Sequence, residues 1–86
     1  MFFYTYVLQN AENKSIYVGY TSNLKRRLEE HETNHLFTNK FRQPFKLIYY
    51  EACIKMVDAK RREKYFKTTQ GKRFLTIRLN EYKRTE

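Results

Sequence analysis

Residues 2–8 (FFYTYVL) are β-branched and aromatic throughout, the pattern of a strand. A polar stretch, residues 9–14 (QNAENK), reads as a turn, and residues 15–20 (SIYVGY) resume the strand pattern. The two are expected to pair as an antiparallel hairpin. Gly19, near the end of the second, marks a bulge or a close backbone approach. Thr21, Ser22 and Asn23 then offer a helix cap, and residues 24–32 read as a helix. Residues 32–44 (ETNHLFTNKFRQP) are polar and basic without periodicity, which suits a loop that contacts a ligand. Residues 45–50 (FKLIYY), entered from Pro44, read as a third strand, and residues 56–68 as a second helix. The tail has two readings. Leu75, Ile77 and Leu79 alternate as in a strand, while Phe74, Leu75, Arg78, Leu79 and Tyr82 keep helical spacing. A helix begun after Gly71 is the favoured expectation. The order β-β-α-β-α-α makes an α+β domain, a small three-stranded sheet with helices packed on it, over residues 1–86.

Within this pattern, charged residues stand where apolar ones are expected. Leu24, Arg27, Leu28 and His31 fall at i, i+3, i+4 and i+7 and so share one helix face, with Lys25, Arg26, Glu29 and Glu30 turned away from it. Either Arg27 snorkels past the edge of the core and a backbone carbonyl satisfies His31, or both face a site. The second helix repeats the pattern: Met56, Ala59, Glu63 and Phe66 form a stripe with an acid inside it, flanked by Arg62. A shielded acid needs a partner or a cation. Arg27 or Arg62 would give an ion pair; a divalent metal is the alternative. Tyr6 and Tyr17, expected opposite one another across the hairpin, would lie near the helix of Arg27, although strand tyrosines are ordinary packing residues as well.

Charge narrows the partners. Eighteen Lys and Arg against nine Asp and Glu leave a net charge of +9. An excess of this size attracts polyanions, nucleic acid first among them, with anionic membrane surfaces and acidic proteins as competitors. Nucleic-acid contacts are expected from Lys25 and Arg26, from Lys40 and Arg42 in the loop, and from Lys60, Arg61, Arg62, Lys64 and Lys67 on the second helix. No apolar run approaches the roughly 18–20 residues needed to cross a bilayer, and the start of the chain lacks the basic and apolar regions of a signal peptide. The single Cys53 excludes an internal disulfide, so a cytoplasmic protein is expected. Tyrosines, an Arg, a His and one carboxylate converging on a basic surface form the set that phosphodiester hydrolysis uses: the carboxylate for a divalent metal, the Arg for the phosphate, a Tyr or His for the proton.

Tyr4-Thr5-Tyr6, Tyr17-Val18-Gly19, Asn23-Leu24-Lys25-Arg26-Arg27, His31 and the stretch from Ala59 to Lys67 together resemble the GIY-YIG nuclease domain, above all its small stand-alone members. The resemblance implies a three-stranded antiparallel sheet flanked by helices. It also implies roles: Tyr6 as general base toward water, Tyr17 positioning that water, Arg27 on the phosphate, His31 assisting proton transfer, and Glu63 binding a single Mg²⁺ or Mn²⁺. Tyr4 stands where the family's first motif has glycine. Asn80 is the one late Asn available for a role that some of these nucleases give to that residue. The expected activity is a metal-dependent DNA endonuclease, with specificity from the loop or from a protein partner. A non-catalytic nucleic-acid-binding module that retains the fold is the alternative, and an adaptor for an acidic protein a third reading.

Overall fold

The computed structural model describes residues 1–37 and 45–85, with side chains up to His31 and again from Phe45. Its elements are β1 (Phe3–Asn10), β2 (Ile16–Thr21), α1 (Leu24–Phe37), β3 (Phe45–Cys53), α2 (Met56–Phe66), α3 (Thr69–Arg78) and α4 (Asn80–Thr85). The strands form one antiparallel sheet in the order β2-β1-β3, and the helices complete an α+β fold. With β1 central, its residues from Thr5 to Asn10 are buried on both faces. On one face Val7 and Val18 pack against Phe66 and Leu75, with Ile48, Tyr49 and Phe74 around them. The Thr5 hydroxyl donates to the Ala59 carbonyl at 2.8 Å, which ties β1 to α2.

Several expected boundaries move, each for a visible reason. Gln9 and Asn10 belong to β1 and not to the turn. The Asn10 side chain accepts from the amides of Glu12 and Asn13, and the Gln9 side chain accepts from the Tyr82 hydroxyl. These bonds remove the penalty of burying two polar residues. The turn closes through Lys14 at φ 66°, and Asn10 N–H donates to the Ser15 carbonyl. α1 runs to Phe37, past the expected end at residue 32, and β3 continues to Cys53. In the tail the helical spacing prevails, but the helix starts before Gly71: the Thr68 hydroxyl accepts from the Gly71 amide at 3.0 Å and caps α3. A further helix, α4, follows it. Leu75 is buried, whereas Ile77, which a strand would have placed on the same face, is 70% exposed.

Candidate active site

Asn23 caps α1, its side chain accepting from the Arg26 amide at 3.0 Å. That start sets the helix phase, and with it Arg27 and His31, one turn apart, come to the β2 side of the sheet beside Tyr6 and Tyr17. The tyrosines are not opposite one another. Tyr6 pairs with Gly19 and Tyr17 with Leu8, so the two are diagonal neighbours on one face, ring centroids 6.4 Å apart. The missing side chain at Gly19 makes room for the Tyr6 ring. A Cβ there would lie 2.6 Å from Tyr6 Cζ and closer still to its hydroxyl. Gly19→Ala should therefore force the buried Tyr6 ring to move, at about 1–3 kcal/mol. The check is a thermal melt, in which the variant is expected to lose several degrees.

The Tyr6 hydroxyl lies 3.3 Å from His31 Nε2, and the His31 ring stands edge-on to both tyrosines, 5.2 Å from Tyr17 and 6.0 Å from Tyr6. Among the described residues His31 is thus met by a phenol, where a core histidine is expected to meet a backbone carbonyl. Burial and the Arg27 charge hold the His31 pKa below 6.5, so its neutral form prevails at neutral pH. Burial, with Tyr17 adding to it, pushes Tyr6 up to about 12. Tyr6 is therefore a protonated phenol within hydrogen-bond distance of a neutral imidazole.

Arg27 is 44% exposed and its partner is Glu30 on its own helix, at 3.4 Å. Glu63 comes from α2, whose Phe66 packs on the Val7 and Val18 face opposite Tyr6, and it lines the same space as Gly19. Its carboxylate is 19% exposed and meets Lys67 at 3.3 Å, not Arg27 or Arg62. Tyr6, Tyr17, Gly19, Arg27 and Glu63 line one open cleft of about 380 Å³.

The remaining basic residues divide. Arg26 lines the cleft as well, at 3.6 Å from Glu30. Lys25 and Lys64 are exposed, and Lys60 lies over the Tyr20 ring, itself a wall of the cleft. Arg61 is paired with Asp58 at 2.8 Å. Arg62 departs most from the expected outward-facing contact. Its guanidinium forks onto Glu51 through two bonds of 2.8 Å and stacks over Phe66 and Phe74. Burial alone would raise the Glu51 pKa; the bonds from Arg62 and Tyr49 and the charge of Arg78 outweigh it and hold the carboxylate low. Arg62 thus braces α2 against β3. Lys40 and Arg42 lie outside the described residues. Asn80 opens α4, exposed and away from the cleft. Met56, from the same α2 stripe as Glu63, also lines the cleft, as do Phe3, Tyr20, Thr21 and Ser22, which no spacing in the sequence singles out.

Among the described residues no three His, Cys, Asp or Glu side chains converge as a preformed metal cage. Glu63 is a single hard oxygen donor at the wall of a basic cleft. That donor set fits a divalent ion that takes its other oxygens from water and a phosphate. No helix among the described residues is long and apolar enough to cross a membrane.

The family profile described as the GIY-YIG catalytic domain matches residues 2–82. A UPF0213 protein of Limosilactobacillus reuteri is 46% identical over 68 residues, covering 76% of this chain and 70% of that protein. One from Oceanobacillus iheyensis is 33% identical over 84 residues, covering 96% of this chain and 94% of its own. Among solved structures, the solution NMR structure of a UPF0213 protein from Bacillus halodurans is similar, with a TM-score of 0.55 and 28% identity over 88% of this chain and 83% of that one.

Proposed function

From its membership of the GIY-YIG catalytic-domain family, a nuclease family whose members generally bind nucleic acid and use divalent metal ions, we propose that this chain is a metal-dependent endonuclease hydrolysing phosphodiester bonds in DNA. The observation that carries the reading is the convergence of Tyr6, Tyr17, Arg27 and Glu63, contributed by both sheet faces, on one basic cleft, with His31 bonded to Tyr6 behind it.

Each side chain then has a task. Arg27, held loosely by Glu30, forks onto the phosphate and neutralises charge as it builds on the equatorial oxygens. With its pKa near 12, Tyr6 cannot wait as a phenolate. It takes a proton from the attacking water as it passes its own to His31 Nε2, and the neutral imidazole is poised to receive it. Tyr17, 46% exposed at the mouth, orients that water. Glu63 would hold Mg²⁺ or Mn²⁺, which when bound supplies positive charge to the phosphate oxygens. The assay that tests the reading incubates the protein with branched, nicked and single-stranded DNA, with and without Mn²⁺. Mn²⁺-stimulated nicking is expected, and nicking of none of the three overturns it.

The proton relay has a pH signature. The active form needs neutral His31, whose folded pKa lies below 6.5. Cleavage should therefore fall as pH drops through that lowered value and stay level above it, Tyr6 losing its proton only at far higher pH. His31→Ala should remove this acid limb and lower the plateau by on the order of a hundredfold. A pH–rate profile of both proteins under single-turnover conditions checks it.

A further inference from the structure

The cleft does not end at Tyr17 and Glu63. A second hollow shares both residues and runs along the outer edge of β2 past Ile16 and Phe66 to Lys67 and Lys72. Ile16 and Lys72 also belong to a third hollow of about 410 Å³, between the β1–β2 hairpin and the tail helices. Its floor presents Ile16, Ile48 and Leu79 over the buried Val7 and Leu75, with the hydroxyls of Ser15 and Thr76 beside them, and its rim is cationic, made by Lys14, Lys72 and Lys83. Among the described residues no Asp or Glu lines it. Among the described residues none of these three lysines forms an ion pair. The three hollows thus make a continuous track, with exposed Tyr17 at its head and unpaired positive charge at its far end.

We infer that this track guides a single-stranded arm of the DNA substrate away from the site, the bases facing the apolar floor and the phosphates facing Lys14, Lys72 and Lys83. The inference rests on the nuclease reading for its substrate, but not on catalysis. An apolar floor between cations gains nothing from a duplex, whose bases are stacked inside and whose phosphates lie on a convex surface. Nor does a free phosphate need such a floor. A single strand has both features to offer: base faces for apolar and aromatic surface, Tyr17 included, and a flexible charged backbone for the rim. The substrate class that follows is DNA with an unpaired arm, a flap, fork or overhang, in preference to blunt duplex.

The test is equilibrium binding without metal, by fluorescence anisotropy, to a blunt duplex and to the same duplex carrying a single-stranded arm of about ten nucleotides, within the span one small fold covers. The parent protein should bind the armed DNA about tenfold more tightly than the blunt. In the variant Lys14→Ala/Lys72→Ala/Lys83→Ala, which changes three unpaired side chains at the rim, that advantage should shrink to about twofold or less. The salt slope for the armed DNA should also flatten by about 2, at roughly 0.7 per single-strand phosphate released. Equal losses on blunt and armed DNA, or a parent that gains nothing from the arm, overturn the track. Nicking assays on the same DNAs keep the two ideas apart: an arm advantage with no Mn²⁺-dependent nicking upholds the track and overturns the nuclease reading. Nicking with no arm advantage does the reverse.

Discussion

Glu63→Gln is expected to abolish Mn²⁺-stimulated nicking, by on the order of a thousandfold, while DNA binding stays constant or tightens. The amide keeps the shape of the side chain and its place on the α2 stripe, so packing against the β2 edge is preserved. What goes is a charge. Its contact with Lys67, at 3.3 Å on the same helix, contributes about 0.3–0.5 kcal/mol as an exposed i,i+4 pair, so the melting point should hardly change. Its loss removes one negative charge from a cleft otherwise lined by Arg26 and Arg27, which favours the polyanion. It also removes the one carboxylate that lines the cleft among the described residues, and with it the donor for a divalent ion. A metal's share of transition-state stabilisation is several kcal/mol, and each 1.36 kcal/mol is a factor of ten in rate. Melting, DNA affinity and nicking are measured on the same preparation. A variant that nicks as well as the parent makes Glu63 a structural acid; one that melts far lower makes it a packing residue.

The parts of this site that the sequence discloses are those set by short-range geometry. Helical spacing alone puts Arg27 and His31 on the leucine face of α1, and Glu63 on the apolar stripe of α2, because one turn of helix fixes these relations whatever the tertiary fold. The hairpin is equally local in existence, but not in register. Whether Tyr17 faces Tyr6 or lies diagonal to it depends on how the turn closes at Lys14, and on whether Gln9 and Asn10 can be buried. Burial of Gln9 depends in turn on Tyr82, far along the chain. The same limit separates Arg62 from its neighbours. A run of basic residues on a helix reads as a solvated or ligand-binding face, and nothing within α2 says that one of them meets Glu51 on β3 and three aromatic rings. The lysine-rimmed track is the extreme case: Lys14, Lys72 and Lys83 come from a turn and two helices, and no period relates them.

Arg27 is where the two readings of a charged residue on an apolar face separate, and Arg27→Ala separates them by experiment. A guanidinium bracing the core would be multiply bonded across elements, as Arg62 is; Arg62→Ala would accordingly strip Glu51 of both guanidinium bonds, leaving it the Tyr49 hydroxyl, and destabilise the fold. Arg27 is not so held: among the described residues its ion pair is with one carboxylate, Glu30, at 3.4 Å on its own helix, and it is 44% exposed. Removing so exposed a pair changes stability by about 0–1 kcal/mol, a few degrees at most in a domain of this size. Ala also favours the helix over Arg slightly. The chemistry should respond quite differently. With Arg27 gone, the cleft loses the fork proposed to bind two phosphate oxygens at once, and the developing charge loses that cation. One such donor is worth about 10²–10³ in rate in comparable sites. His31 should respond too: Arg27 is one of the charges holding its pKa down, so in the variant that pKa should rise toward 6.5. An imidazole titration followed by NMR therefore reports the loss of the guanidinium even in a protein too slow to assay. Lys at this position restores the charge without the fork, so Arg27→Lys should recover the His31 shift but only part of the rate. If Arg27→Ala instead unfolds at ordinary temperature, or cleaves at the parent rate, the guanidinium belongs to the fold and not to the phosphate.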